Sequence, residues 1–218
     1  MVYVAGIDIH TSIAASVAAF FVSGLVGTIT YSQRGIIKWV DFLTVSIGAI
    51  PGALFGTYVL PKIESDFLAF FIALVLIVSA VRQFVASGTS SLTHPPRNTP
   101  KYKLSLVGLA TGFLSVLSGT GGPLVLLPLL TWLSTPLMTA IGLSQVIQLP
   151  IATFATIGNA FNSLIDWELV MVLAFGIALG SFLGAKGSER LPLTYIKTLV
   201  AFLLLASGVY MVIILLFG

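Results

Sequence analysis

The chain has 218 residues, of which 57% are hydrophobic and only 8% charged, with a formal net charge of +3. Soluble domains carry about 25% charge, so the composition excludes an ordinary soluble fold and describes an integral membrane protein. The small positive charge argues against a nucleic-acid partner, and the absence of cysteine removes disulfides, thiolate metal sites and thiol nucleophiles.

In chain order, Met1–Ile9 has no basic n-region, so no cleavable signal peptide is expected. Asp8 and His10 could form a titrating pair at a pore mouth, and a solvated loop is the preferred reading of them. Uncharged runs follow at Ser12–Tyr31, Phe42–Pro61, Phe67–Val81, Leu104–Leu133, Thr139–Ala160, Leu169–Ala185 and Thr198–Phe217. Several reach the roughly 20 residues that a helix needs to cross about 30 Å of hydrocarbon. Outer-membrane strands would alternate apolar and polar residues in segments of about 10, a pattern this chain lacks. The expected fold is therefore all-α, with about seven transmembrane segments.

Sliding the chain against itself by 128 residues aligns Thr11, Ile13 and Ser16 with Thr139, Ile141 and Ser144. Trp39 falls on Trp167, and Gly48, Gly52 and Gly56 fall on Gly176, Gly180 and Gly184. A tryptophan and three glycines in one frame point to a duplication. Residues 1–85 are read as the first repeat, the polar, Pro-rich stretch 86–103 as an extramembrane linker, and 104–218 as the second repeat. Met1 pairs with Leu129, so the first copy of the Gly-rich stretch near Gly121 is expected to be missing from this chain.

Two topologies are open. If 104–133 crosses once, the repeats are parallel and the ten bases divide six to four. If it enters and returns on one side, the repeats are inverted and the bases divide nine to one, with only Lys62 on the poor side. The excess of Lys and Arg in cytoplasmic loops favours the inverted arrangement, with Arg34, Arg97 and Arg190 all cytoplasmic.

Ser115–Leu130, SVLSGTGGPLVLLPLL, breaks an otherwise lipid-compatible run. Irregular backbone at membrane depth is tolerated only where it is buried or lines a watery cavity. Transporters use such breaks to aim half-helix N-termini at anions. Gly119, Gly121 and Gly122 permit unusual backbone geometry, Pro123 suits the first turn of a new helix, and Ser118 and Thr120 add hydroxyls. A packing kink is the alternative. Ser144, Gln145 and Gln148 follow on the next span, with Ser144 and Gln148 on one face. They serve either interhelical hydrogen bonding or the bound anion, with Ser16 as the counterpart of Ser144 in the first half. Asn159 and Asn162 read as helix-end or interfacial groups, Asp166 and Glu168 as acids capping a helix N-terminus. The GxxxG runs read as helix-packing faces.

The segments GFLSVLSGTGGPLVLLPLL, TPLMTAIGLSQV and SLIDWELV…GIALGSFLGA, with IDIHTSIAASVAAFF…GIIKWVDF…GAIPGALFGTYV in the first half, resemble the TauE/SafE or sulfite exporter family. The resemblance implies a multi-pass inner-membrane carrier of small anions, with sulfite and organosulfonates as substrates. The chain differs from the family's usual pattern in lacking the first Gly-rich break and in reading Gly-Thr-Gly-Gly-Pro at the second.

The substrate site is expected from Ser118, Gly119, Thr120, Gly121, Gly122, Ser144, Gln145, Gln148 and Ser16, facing a small anion within the lipid bilayer. No catalytic residue, metal or cofactor is expected. An intramembrane enzyme would need a nucleophile–base pair or metal ligands, and neither histidine lies in a span. A non-transporting membrane scaffold or assembly subunit is the main rival. Anion identity, direction, coupling ion and homo-oligomer formation are not fixed by sequence.

Overall fold

The computed structural model describes residues 6–88, 100–188 and 193–217. All regular structure among them is helical: α1 Ile9–Gln33, α2 Trp39–Val59, α3 Ser65–Gly88, α4 Lys101–Ser118, α5 Pro123–Trp132, α6 Leu137–Val146, α7 Gln148–Phe161, α8 Trp167–Ser188 and α9 Leu193–Phe217, with a short 3-10 turn at Leu60–Lys62. Four stretches are long and apolar enough to cross a membrane: Ile9–Gln33, Trp39–Lys62, Met138–Phe161 and Thr198–Leu215. Shorter apolar helices occupy Ser65–Val81, Pro123–Trp132 and Trp167–Gly180. Large apolar side chains such as Ile47, Phe70, Leu106, Phe175 and Phe202 face outward, a surface that lipid accepts and water does not.

Helix ends follow local chemistry. Asp8 is the N-cap of α1, its carboxylate accepting from the N–H groups of His10 (2.9 Å) and Thr11 (3.2 Å), so the pair read as a solvated loop instead opens a helix. Burial alone would raise the Asp8 carboxyl, but the Thr11 N–H and the His10 contacts outweigh it and hold the group below its ordinary value. The Asp8 cap is thus fully present at neutral pH and is lost as pH falls through the lowered folded value. Asp166 caps α8 by accepting from the Leu169 N–H at 3.1 Å, as the sequence suggested.

The first-half helices begin at Ile9, Trp39 and Ser65, and second-half helices begin at Leu137, Trp167 and Leu193, 128 residues later in each case. The C-terminal caps keep the same frame. Gly35 (φ 64°) ends α1 with Ile36 N–H donating to Tyr31 O, and Ser163 (φ 55°) ends α7 with Leu164 N–H donating to Asn159 O. A non-glycine residue in the left-handed region carries a penalty of roughly 1–2 kcal/mol. Ser163→Gly is therefore expected to stabilise the protein by about 1 kcal/mol, measurable as a raised unfolding midpoint in detergent.

The described residues form two compact units. One holds α1, α2, α4–α7 and the start of α8. Its tightest contact joins α2 and α4. A Cβ at Gly48 would run into the Ser105 carbonyl, one at Gly52 into the Leu109 carbonyl, and one at Gly56 would lie 2.9 Å from Val116 Cβ. Gly108 and Gly112 meet Val45 and Ala49 in the same way. Because both positions advance together, the helices run parallel, backbone against backbone, as small residues at four-residue spacing allow. The related run behaves differently: Gly176 and Gly180 meet nothing within 4 Å among the described residues, while Gly184 lies where side chains are not described. Ala15 and Ala18 of α1 pack with Val170, Leu169 and Leu173 at the start of α8.

The run Thr139–Ala160, expected as one span, lies within the 24-residue apolar stretch Met138–Phe161, in which the single residue Ile147 separates α6 from α7 while keeping helical dihedrals. Pro150 supplies no N–H for the Val146 carbonyl, so one hydrogen bond is missing there, but Ile147 N–H still donates to Leu143 O and Ile151 N–H to Ile147 O. A Cβ on Gly24 of α1 would lie 2.9 Å from Gln148 Cβ, and one on Gly27 would lie 2.9 Å from Gln145 Cβ. Positions rise on one helix as they fall on the other, so α1 and α6–α7 are antiparallel. On α2, Thr57 packs on Gly158 and its carbonyl accepts from Asn162 Nδ2 at 2.9 Å, while Ile36, just before α2, packs on Gly142. Thus α2 runs parallel to α6–α7 as well as to α4.

The other unit pairs α3 with α9. A Cβ at Gly208 would lie 2.8 Å from Ile77 Cγ1, and Leu68, Ala69, Ala73, Ala80 and Ala201 are buried.

Candidate functional site

The Gly-rich stretch is an abrupt stop followed by a restart. At the end of α4, the Ser115 carbonyl accepts from both the Gly119 and Thr120 N–H groups. Gly119, Gly121 and Gly122 have φ of 66°, 69° and 123°, values that side chains with a Cβ resist. Gly122 is the N-cap of α5, Pro123 follows in its first turn, and the Gly122 carbonyl accepts from Val125 and Leu126. The N–H groups of Gly121, Gly122 and Leu124 lie ahead of any intrahelical acceptor, at the positive end of the α5 dipole.

This N-terminus sits against the α6–α7 junction. A Cβ at Gly122 would lie 3.2 Å from Ile147 Cγ2, 3.4 Å from Ile151 Cδ1 and 4.0 Å from Ser115 Oγ. One at Gly121 would lie 2.7 Å from the Phe20 ring of α1, and one at Gly119 would lie 3.6 Å from Ile13 Cα. The broken stretch therefore meets the α6–α7 junction, where Pro150 removes one backbone hydrogen bond, walled by α1.

The polar side chains divide by whether their donors are already engaged. Ser16 donates to the Ser12 carbonyl at 2.7 Å, Ser144 to the Ala140 carbonyl at 2.6 Å, and Ser118 to the Leu114 carbonyl at 2.7 Å. Thr120 lies 2.9 Å from Ser118 Oγ and, since the Ser118 proton is engaged, acts as donor in that pair. A hydroxyl has one proton, so none of these four offers a donor to an anion as placed. Gln148, 1% exposed, donates from Nε2 to Gln145 Oε1 at 2.8 Å, which leaves the Gln145 amide nitrogen and the second Gln148 N–H.

Sequence reasoning missed three groups. Ser115 Oγ is fully buried beside Gly122 with no partner among the described residues. Gly24 and Gly27 seat the two glutamines against α1, a role that their spacing of three could have suggested. Asn159, read as a helix-end or interfacial group, is 0% exposed, with neither amide atom partnered among the described residues. It ends a face, Ile151–Ala155–Asn159, that turns inward because α1, α2 and α4 all pack on α7.

The described architecture, with long apolar helices, an apolar exterior and a helix break at Gly119–Gly122, is that of a multi-pass integral membrane protein. The family model described as "Sulfite exporter TauE/SafE" matches residues 1–211, and the chain belongs to that family. It is similar to the probable membrane transporter protein YdhB of Bacillus subtilis, with 25% identity over 199 residues, 89% of this chain and 81% of the relative. A probable membrane transporter protein of Methanocaldococcus jannaschii is 22% identical over 211 residues, covering 92% of this chain and 78% of the relative. The probable membrane transporter protein y4hK of Sinorhizobium fredii is 27% identical over 194 residues, covering 84% and 75%. No solved structure matches the chain.

Proposed function

We propose that the protein is a carrier of small oxyanions, of the sulfite or organosulfonate type, in the cytoplasmic membrane. The observation that carries this reading is the N-terminus of α5, whose N–H groups lie ahead of any intrahelical acceptor and are set by three positive-φ glycines against Ile147 and Ile151 at the α6–α7 junction. The family description and the names of the relatives support it. The run from Leu104 to Ile165 contains no Lys, Arg or His, so dipoles alone would hold the ion, with Ser115 beside the backbone donors. Binding of that kind is weak enough to release, which a carrier requires.

The carrier has inverted repeats. α1 and its repeat-related counterpart α6–α7 lie antiparallel, and both α4 and α6–α7 run parallel to α2. The intervening α5 must then return toward the side from which α4 entered. Its 10 residues reach about 15 Å, half of the roughly 30 Å core, as a re-entrant half-helix needs. Each half would then cross three times. In a membrane-sidedness assay, Arg34→Cys should label from the cytoplasm and Glu168→Cys from the opposite side. Labelling of both from one side would restore the parallel arrangement.

For the function itself, purified protein in sulfite-loaded liposomes should release sulfite faster than protein-free liposomes, with saturation. Release that matches the protein-free rate for sulfite and for small sulfonates alike would defeat the carrier reading.

A further inference from the structure

Asn159 poses a specific chemical problem. A primary carboxamide offers two donors and an acceptor, and a buried polar group left unpaired is costly. Both of its polar atoms are buried and unpartnered among the described residues. The amide is thus matched by a species that both accepts and donates a hydrogen bond. The same holds nearer the break. Gly121, Gly122 and Leu124 present N–H donors, Ser115 presents a hydroxyl that can do either, and Gln148 Oε1 is a buried acceptor without a donor. An ion with acceptors alone would leave Asn159 Oδ1 and Gln148 Oε1 facing negative charge.

Charge magnitude points the same way. The cost of taking an ion out of water rises with the square of its charge, so a dianion costs roughly four times as much as a monoanion. The fixed positive charge at a helix N-terminus is only about half an elementary charge. Among the described residues of α5, α6 and α7 there is no cation to offset a second negative charge.

We propose, resting on the carrier reading above, that the ligand is a singly charged oxyanion that keeps one O–H, of the hydrogensulfite type, and that Asn159 is a second contact for it. Asn159 stands two turns along α7 from Ile151, on the face that meets Gly122. The ion moving between the break and this end of α7 accepts from Asn159 Nδ2 and donates its O–H to Asn159 Oδ1. The dianion is rejected because it lacks that donor and doubles the charge.

The titratable groups on the elements packed against α7 all lie near helix ends. They are Asp8, His10 and Tyr31 on α1 with Arg34 just beyond, Asp41 and Tyr58 on α2 with Lys38 just before and Lys62 just beyond, and Lys101, Tyr102 and Lys103 on α4; α6 has none. His10 is the one histidine among them.

The test is sulfite flux in proteoliposomes buffered equally on both sides, on the acid and alkaline sides of the hydrogensulfite–sulfite equilibrium. Flux should follow the hydrogensulfite concentration, and His10→Gln should keep that profile. Wild-type protein should prefer hydrogensulfite over methanesulfonate, a monoanion without an O–H, by about tenfold, the ratio one hydrogen bond to a charge supports. Asn159→Leu should erase that preference and Asn159→Ser should restore part of it, with unfolding curves confirming that both variants are folded. Flux that follows the sulfite dianion would overturn the proposal. So would an unchanged preference in Asn159→Leu accompanied only by altered stability, since the amide would then be serving structural water. Absence of flux for every ion in both buffers would instead remove the carrier reading on which the proposal rests.

Discussion

Gly52→Leu is expected to prevent α2 and α4 from docking. The first added carbon already collides with the Leu109 carbonyl, and Leu109 Cα lies 3.1 Å away. Both obstacles are backbone, so no rotamer change relieves them and the helices must part. Overpacking of a core by larger side chains typically costs about 1–3 kcal/mol, and a clash with backbone belongs at or above the top of that range. The contact also includes Gly48, Gly108 and Gly112, so the loss spreads along the helix pair. Poor recovery from the membrane and a strongly lowered unfolding temperature are the expected results. Gly180→Leu is the internal control: its Cβ would meet nothing within 4 Å among the described residues, and stability should stay close to wild type. Equal damage from both substitutions would show that α2 and α4 are not the tighter contact.

The second large effect is expected at Gly122. Alanine there must adopt φ 123°, a region that L residues rarely enter, or else turn the Gly121 and Gly122 N–H groups out of position. Its methyl would also press on Ile147 Cγ2 at 3.2 Å. If one charge-assisted hydrogen bond is lost, binding weakens by about 1.5–3 kcal/mol, a tenfold to roughly hundredfold loss of affinity. Insertion and folding should largely survive, because local strain of this kind costs about 1–3 kcal/mol. Sulfite flux in liposomes, normalised to inserted protein, measures the effect. Flux equal to wild type would make the Gly-rich stretch a packing kink.

The break itself was legible in the sequence because it depends on local chemistry. Three glycines that can adopt positive φ, and a proline suited to a first helical turn, specify the stop after Ser118 and the restart at Pro123. The starts of α2 and α8 at Trp39 and Trp167 follow from the repeat in the same way. The span Met138–Phe161 was legible from hydropathy, but the backbone hydrogen bond that Pro150 removes inside it was not, because the stretch is apolar throughout. Which groups face one another was not legible at all. Ser16 and Ser144 looked like donors, but a hydroxyl in an apolar helix readily bonds the carbonyl four residues back. Asn159 looked like a helix-end residue because it lies in the last turn of α7, two residues before Phe161, and only the packing of α1, α2 and α4 around α7 buries it. The difference between Gly52 and Gly180 is likewise a matter of which helix arrives at the glycine face.

The central claim, that the N-terminus of α5 holds the anion, is tested most directly by equilibrium binding. Sulfite titrated calorimetrically into purified wild-type protein, Gly122→Ala and Gln148→Leu, each shown to be folded by thermal unfolding, separates the backbone site from the glutamines. Saturable binding to wild type is expected, with a loss of about 1.5–3 kcal/mol in Gly122→Ala and a smaller loss in Gln148→Leu, whose amide is partly committed to Gln145. Wild-type affinity in Gly122→Ala would contradict that claim.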